Sequence, residues 1–167
     1  YKRQLLTKYK KAKVSLPGGC AIGTRPVDLH LLALKKLGAK IRIKDGYIFA
    51  EAKRGLKGTK IKFPSISVGA TENALLAASY AKGKTTLINC ALEPEVKELM
   101  LFLKKLGINI KTSGRKIIVE GKKFVNNKVK HKIISDRIEA GTYLIAGAIA
   151  GKKIILNAGN SGTLSRL

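Results

Sequence analysis

Acidic residues are scarce in this 167-residue chain: 10 Asp and Glu stand against 34 Lys and Arg, a formal net charge of +24. Tryptophan is absent and aromatics make up 5%. They are not interleaved with the basic residues along the chain, so no platform for stacking nucleic-acid bases is visible. Lysine supplies most of the charge, whereas base and phosphate-fork recognition favours arginine. Nucleic acid is therefore not the expected partner, although a basic chain gains affinity for it by releasing counterions. The two cysteines, Cys20 and Cys90, cannot build a disulfide framework and suit a reducing cytoplasm. No uncharged apolar run approaches the roughly 18 residues of a transmembrane helix, so no membrane partner is expected. The basic stretch Tyr1–Lys13 lacks the apolar core of a secretory signal. It also lacks an initiating Met, and a trimmed or internal piece is expected. What remains is a chain 45% hydrophobic, too apolar for a disordered basic tail and about one domain long.

The chain repeats itself. Leu34-Lys-Lys-Leu-Gly-Ala-Lys-Ile41 returns as Leu103-Lys-Lys-Leu-Gly-Ile-Asn-Ile110, an offset of 69 positions, and Tyr47–Lys53 matches Lys116–Lys122 in the same register. A second pair is Ser67–Ala91 with Ser135–Ala158, where Leu76, Gly83, Lys84 and Asn89 fall on Leu144, Gly151, Lys152 and Asn157 at an offset of 68. Glu95 to Leu106 carries apolar residues at helical spacing, with Pro94 in an allowed first-turn position and Gly107 as the stop. Val27 to Leu37 is the matching helix. Each is followed by two strand signals around a polar turn, at 40–43 and 47–50, then 108–111 and 117–120. Thr71 to Ala81 and Glu139 to Ala150 are nearly all apolar, which predicts helices buried on most sides. Strands are expected after them at Thr85–Ile88 and Lys153–Leu156. The unit reads β-α-β-α-β-β. A repeat of about 70 residues is too long for a solenoid of helix pairs and suits a pseudo-symmetric globular domain, with apolar helices wrapped by several small sheets.

The segment Val14-Ser-Leu-Pro-Gly-Gly-Cys-Ala-Ile-Gly-Thr-Arg-Pro-Val-Asp-Leu-His30 resembles the active-site loop and following helix of the enolpyruvyl transferases, specifically the UDP-N-acetylglucosamine 1-carboxyvinyltransferase family. The similarity continues through Ser67-Val-Gly-Ala-Thr-Glu-Asn73, Glu93-Pro-Glu95 and Ser135-Asp-Arg-Ile-Glu-Ala-Gly-Thr142, in the family's order and spacing, over about residues 9 to 157. The resemblance implies an α/β (α+β) fold, an inside-out α/β barrel domain of repeated β-α-β-α-β-β units. On that reading residues 1–167 form a single partial domain of about two and a half repeats, 14–53, 54–122 and 123–167, with a partner domain absent. It also implies transfer of the enolpyruvyl group of phosphoenolpyruvate to the 3'-hydroxyl of UDP-N-acetylglucosamine, with release of phosphate, in peptidoglycan precursor synthesis. No metal or organic cofactor is implied.

Such an addition and elimination needs an acid for the methylene carbon and a base for the sugar hydroxyl. Cys20 lies in a Gly-Gly-Cys turn able to belong to a loop that closes over substrate. By itself the residue reads equally as an inert small side chain; matched to the family it is the catalytic cysteine, the general acid and a site of covalent adduct formation, with Arg25 favouring its thiolate. Arg25, alone a surface or capping residue, matches a substrate-contacting arginine whose planar fork suits phosphate. Arg25, Pro26, Val27, Asp28 and Leu29 together match the nucleotide-sugar contact segment. Asp28 also fits as an ordinary first-turn carboxylate, and His30 as a structural histidine. Ser67 and Val68 open a helix whose N–H groups suit a diphosphate, and match substrate-contact positions, though a capped helix accounts for them equally. Some family members carry a lysine two residues earlier; Ser65 stands there. Glu93 matches a glutamate near the closing loop, whereas Glu95 is a helix-start carboxylate. Asp136 and Arg137 match a pair near the domain junction, as a salt bridge or as a substrate contact. Cys90 matches no functional position and is expected to be buried.

The tail departs from the pattern. Gly159-Asn-Ser-Gly-Thr and Arg166-Leu167 resemble instead the sister 3-phosphoshikimate 1-carboxyvinyltransferases, which move the same group to shikimate 3-phosphate. Two alternatives thus stand beside the main reading: that sister activity, and a non-catalytic basic module that binds nucleic acid. The partner domain would supply the general-base aspartate and the lysine and arginines for phosphoenolpyruvate. The third repeat lacks its closing helix and hairpin, so marginal stability is expected.

Overall fold

A helix without a polar face has to be enclosed, and this requirement organises the protein. A computed structural model describes residues 6, 9–16, 27–122, 128–151 and 153–155. The chain falls into two compact units, Tyr1–Val129 and Lys130–Leu167.

In the first unit, β1 (Lys11–Ser15), α1 (Asp28–Lys36), β2 (Lys40–Lys44), β3 (Tyr47–Glu51), β4 (Lys60–Lys62), α2 (Val68–Tyr80), β5 (Gly83–Ile88), α3 (Pro94–Lys105), β6 (Asn109–Ser113) and β7 (Lys116–Gly121) follow in order. One antiparallel sheet has the order β1-β3-β2, and a mixed sheet the order β4-β5-β7-β6, in which β4 and β5 are parallel. The hairpins β2–β3 and β6–β7 obey the 69-residue offset at both ends of β2 and β6. Asp45 and Gly46 at the first turn both have positive φ, the conformation that lets a two-residue loop follow the strands' twist. Gly38 and Gly107, one offset apart, take φ of 98° and 87° just past α1 and α3, positions where only glycine continues without strain.

Helix α2 lies at the centre. Ala70, Ala74, Leu75, Ala77 and Ala78 are fully buried, and α1, α3, β5 and β7 all pack on it. Its alanines allow close approach of those neighbours. Helix α3 is amphipathic and buries only Val96, Met100 and Leu103. The expected helices and hairpins are all present in this unit. The short strands β1 and β4 alternate polar and apolar residues but were not assigned from the sequence; Lys-Ile-Lys at β4 is a strand because β5 pairs with it.

The second unit contains α4 (Arg137–Ala150), capped by Asp136 and closed by Gly151 at φ 60°. Two expectations fail here. Burial on most sides is contradicted: Tyr143 is 54%, Ile145 63% and Ile149 83% exposed, and only Ala140, Gly141 and Gly147 are buried. Apolar composition does not enclose a helix; neighbouring elements do, and the sheets and helices that enclose α2 have no counterpart around α4 among the described residues. The strand expected at Lys153–Leu156 is likewise not formed over 153–155, where no described strand pairs with it; isolated extended chain is not stable as a strand. Leu156 lies outside the described residues. No described helix is long and apolar enough to cross a membrane.

Two glycines separate steric from conformational demand. A Cβ on Gly121 would collide with the carbonyl oxygens of Ala81 and Ala78, rigid backbone at the end of α2, whereas one on Gly114 meets nothing but sits at φ 53°. Gly121→Ala is expected to cost about 3 kcal/mol and Gly114→Ala about 1 kcal/mol, read from urea unfolding midpoints. Equal midpoints would contradict this packing.

Candidate active site

Three helix starts carry the matched residues of the first unit. Helix α1 begins after Val27 with no side-chain cap, and its first turn holds Asp28 and Leu29. Helix α2 begins at Ser67, whose Oγ accepts from the Ala70 N–H at 3.2 Å. Helix α3 begins after Glu93, again without a side-chain cap, with Pro94 supplying the pre-set φ of the first turn. The N–H groups at two of these starts are thus not satisfied by cap side chains, and aligned peptide dipoles make each start electropositive.

Side chains tie the starts together. His30 Nδ1 is hydrogen-bonded to Asn73 Nδ2, and a Cβ on Gly69 would sit 3.3 Å from the His30 ring. The first turn of α1 is therefore pinned to the start of α2. On the other flank, the buried Thr71 hydroxyl donates to the Ser67 carbonyl at 2.8 Å and accepts from the Ala91 N–H at 3.0 Å. That links α2 to the segment leading into Glu93. Thr71, His30 and Asn73 were not among the sequence-derived site residues; a threonine inside an apolar helix was the available signal.

Asp28 is exposed and stands two residues from His30, about 200° round the helix. It faces away from α2 and, with Val27, Leu31, Leu32, Lys35, Lys36 and Ile43, lines an open hollow of about 500 Å³. Val27 and Asp28 thus share a turn with Leu29 but do not point toward Ser67. Glu93 is half-buried; its Oε2 is shielded from solvent and takes no hydrogen bond among the described residues. Buried oxygens of this kind are rare and mark places awaiting a donor. Asp136 caps α4, its Oδ1 accepting from the Ile138 and Glu139 N–H groups at 2.8 and 3.1 Å. Arg137 follows in the same turn, half-buried; both belong to the second unit. Cys20, Arg25 and Pro26 lie outside the described residues. Among the described residues no cluster of His, Cys, Asp and Glu could hold a metal ion.

Cys90 is fully buried after β5. Burial pushes its thiol from 9.0 up to about 11, with the Ile117 backbone hydrogen bond opposing the rise. A thiol so raised is neutral and unreactive at physiological pH.

The family model described as EPSP synthase (3-phosphoshikimate 1-carboxyvinyltransferase) matches residues 3–165. The chain belongs to this family. It is 61% identical over 148 residues to the UDP-N-acetylglucosamine 1-carboxyvinyltransferase of Pelagibacter ubique, covering 87% of this chain and 35% of that protein. With the enzyme of the same name from Methylocella silvestris it shares 52% over 161 residues, 96% of this chain and 37% of that one. The chain thus spans little more than a third of the length of these relatives. Among solved structures, the enolpyruvyl transferase NikO of Streptomyces tendae superposes with a TM-score of 0.74 over 87% of this chain and 35% of its own, at 24% identity, a likeness of fold. EPSP synthase of Acinetobacter baumannii gives 0.55 over 73% of this chain and 29% of its own, at 26% identity. The fold is that of the enolpyruvyl transferases, as the repeat and the motif blocks imply.

Thr71→Val keeps the shape but leaves the Ala91 N–H without its acceptor, and is expected to cost about 1–3 kcal/mol in urea unfolding; an unchanged midpoint would show that the hydroxyl does not tie the segments. For Cys90 the folded state holds its proton more tightly than the unfolded one. Its contribution is therefore complete below pH 9 and lost as pH rises from 9.0 toward about 11. Unfolding stability of Cys90→Ala should fall less steeply across that window than that of the parent.

Proposed function

We propose that this chain is part of an enzyme that transfers the enolpyruvyl group of phosphoenolpyruvate to the 3'-hydroxyl of UDP-N-acetylglucosamine, releasing phosphate, in the cytoplasmic synthesis of peptidoglycan precursors. The observation that carries the reading is the 61% identity to a relative of that name over most of the chain, far above the identity to the solved sister enzymes. The geometry supports it. Both substrates are multiply anionic, and the matched segments lie at clustered electropositive helix starts in a chain of net charge +24.

In this reading Ser67, Val68 and the start of α2 offer N–H groups to the diphosphate. Arg25, Pro26, Val27, Asp28 and Leu29 are the matched contact segment for the nucleotide sugar, of which Val27 and Asp28 line the hollow on the side of α1 away from Ser67. Glu93 presents a carboxylate oxygen ready to accept from a hydroxyl. Cys20 protonates the methylene carbon as the hydroxyl adds, and Asp136 and Arg137 act near the junction with a second domain. Asp136 serves there as a helix cap in any event. The remaining length of the relatives corresponds to the rest of this domain and to that partner domain, which supplies the general base and the cations for phosphoenolpyruvate. Groups positioned from two sides act together, and half of them do not turn over substrate. In this reading the 167 residues are one partial domain of about two and a half repeats, 14–53, 54–122 and 123–167.

Calorimetric titration of the chain should show heat with UDP-N-acetylglucosamine and none with shikimate 3-phosphate; the reverse would favour the sister activity suggested by the tail. An epoxide phosphonate analogue of phosphoenolpyruvate should alkylate Cys20 and spare Cys90, and equal labelling would remove the special role of Cys20. No turnover is expected from the chain alone, and turnover abolished by Cys20→Ala would overturn the need for a partner domain.

A further inference from the structure

The outer face of the β1-β3-β2 sheet brings together residues that are far apart in sequence. Strand register sets Lys11, Glu51 and Lys40 in one row, Lys13, Phe49 and Arg42 in the next, and Ser15, Tyr47 and Lys44 in the third. The opposite face, with Ile48 and Ala50, is buried toward the core. Two aromatic rings therefore occupy the middle strand, flanked on both sides by cations, which is the interleaving that the linear sequence does not show. Lys13 Nζ lies over both rings, 4.5 Å from the Tyr47 centroid and 5.4 Å from that of Phe49. Lys13 thus covers the ring faces, Tyr47 exposed and Phe49 half-buried, and a base that stacks there displaces its ammonium toward a phosphate.

The repeat supplies an internal control. One offset on, the positions of Lys40, Arg42 and Lys44 are Asn109, Lys111 and Ser113, and those of Tyr47 and Phe49 are Lys116 and Ile118. Both hairpins form with the same strand register. The fold therefore requires neither the rings nor this density of charge, and their concentration on one sheet needs another cause. The few acids nearby leave most of the charge unspent. Glu51 meets Lys11 at 3.5 Å and Lys53 at 4.0 Å, and Asp45 meets Lys44 at 4.0 Å. These are exposed pairs of little energetic weight. Lys13, Lys40 and Arg42 have no carboxylate partner among the described residues.

We propose that this face binds single-stranded nucleic acid, with bases stacked on Tyr47 and Phe49 and phosphates held by Lys11, Lys13, Lys40, Arg42 and Lys44. Alternate residues on a strand are about 6.8 Å apart and neighbouring strands about 4.8 Å, so the two rings present separate seats with cations one strand away on each side. Sheets that carry aromatics on a central strand take single-stranded bases in this way. Duplex fits poorly, because its bases offer no free faces. An anionic membrane fits less well than a strand: the rings lie flat on a sheet face, Phe49 half-buried, and do not protrude as apolar anchors would.

The test is fluorescence anisotropy of the full 167-residue chain with a labelled twelve-nucleotide oligothymidine, across salt concentrations. Tyr47→Thr with Phe49→Thr, which keeps strand-forming residues, should weaken binding by at least about ten-fold with little change in salt slope. Lys40→Ser with Lys44→Ser, both exposed, should lower the slope of log affinity on log salt by about 1.4. The second-sheet pair Lys111→Ser with Lys116→Ser should change neither. The proposal falls if the parent does not bind the oligonucleotide. It falls equally if the ring variant, with parental circular dichroism, binds as the parent does, if the second-sheet pair matters as much as the first, or if phosphatidylserine vesicles are held more tightly through the same residues.

Discussion

Burial of α2 is the constraint on which the first unit depends. Its sequence, Val68–Tyr80, carries one charge, Glu72, on a half-buried stripe with Gly69, Asn73 and Leu76, so the rest of its circumference has to be covered by other elements. The alanines make that possible, because small side chains let two helices and two strands approach at once and lose little side-chain entropy on burial. The helix's own buried hydroxyls are paired: Thr71 bridges two backbone segments and the Ser79 hydroxyl donates to the Leu76 carbonyl. Enclosure of the helix is what pushes the sheets outward and makes their far faces solvent surface.

That arrangement divides the protein's surface by function. The starts of α1, α2 and α3 are joined by His30, Asn73 and Thr71, and their peptide dipoles face a rim that also carries Asp28, Glu93 and Glu95. The strand faces are released from any packing duty on one side and are free to carry whatever chemistry selection places there. Hence two sheets from one repeat pattern can differ completely in what they show to solvent while sharing strand register.

Much of the fold was legible because the repeat supplies two readings of each element. The hairpin after α1 and the hairpin after α3 confirm each other residue for residue, and Gly38 and Gly107 mark the same stop. Strand β1 was missed although Lys-Ala-Lys-Val-Ser alternates as a strand does, while the three residues Lys-Ile-Lys of β4 are too short a run to read and become a strand through a partner distant in sequence. The candidate site was legible as motif blocks, including Ser67, Val68 and Glu93. The pins that assemble it were not, because a hydrogen bond between His30 and Asn73 depends on how two helices cross. Helix α4 shows the opposite error: its composition matches that of α2, yet composition cannot report whether neighbours exist.

The sequence by itself determined the family, the repeat period, the helices and hairpins, and the residues matched to an enolpyruvyl transferase site, since these follow from local pattern and residue identity. Tertiary structure alone decided which helix is enclosed, which starts meet, that Asp28 turns away from Ser67, and that Tyr47 and Phe49 stand among cations. The reason is physical: hydrogen-bond register and packing act across space between residues that the chain separates, and periodicity along the chain carries no record of them.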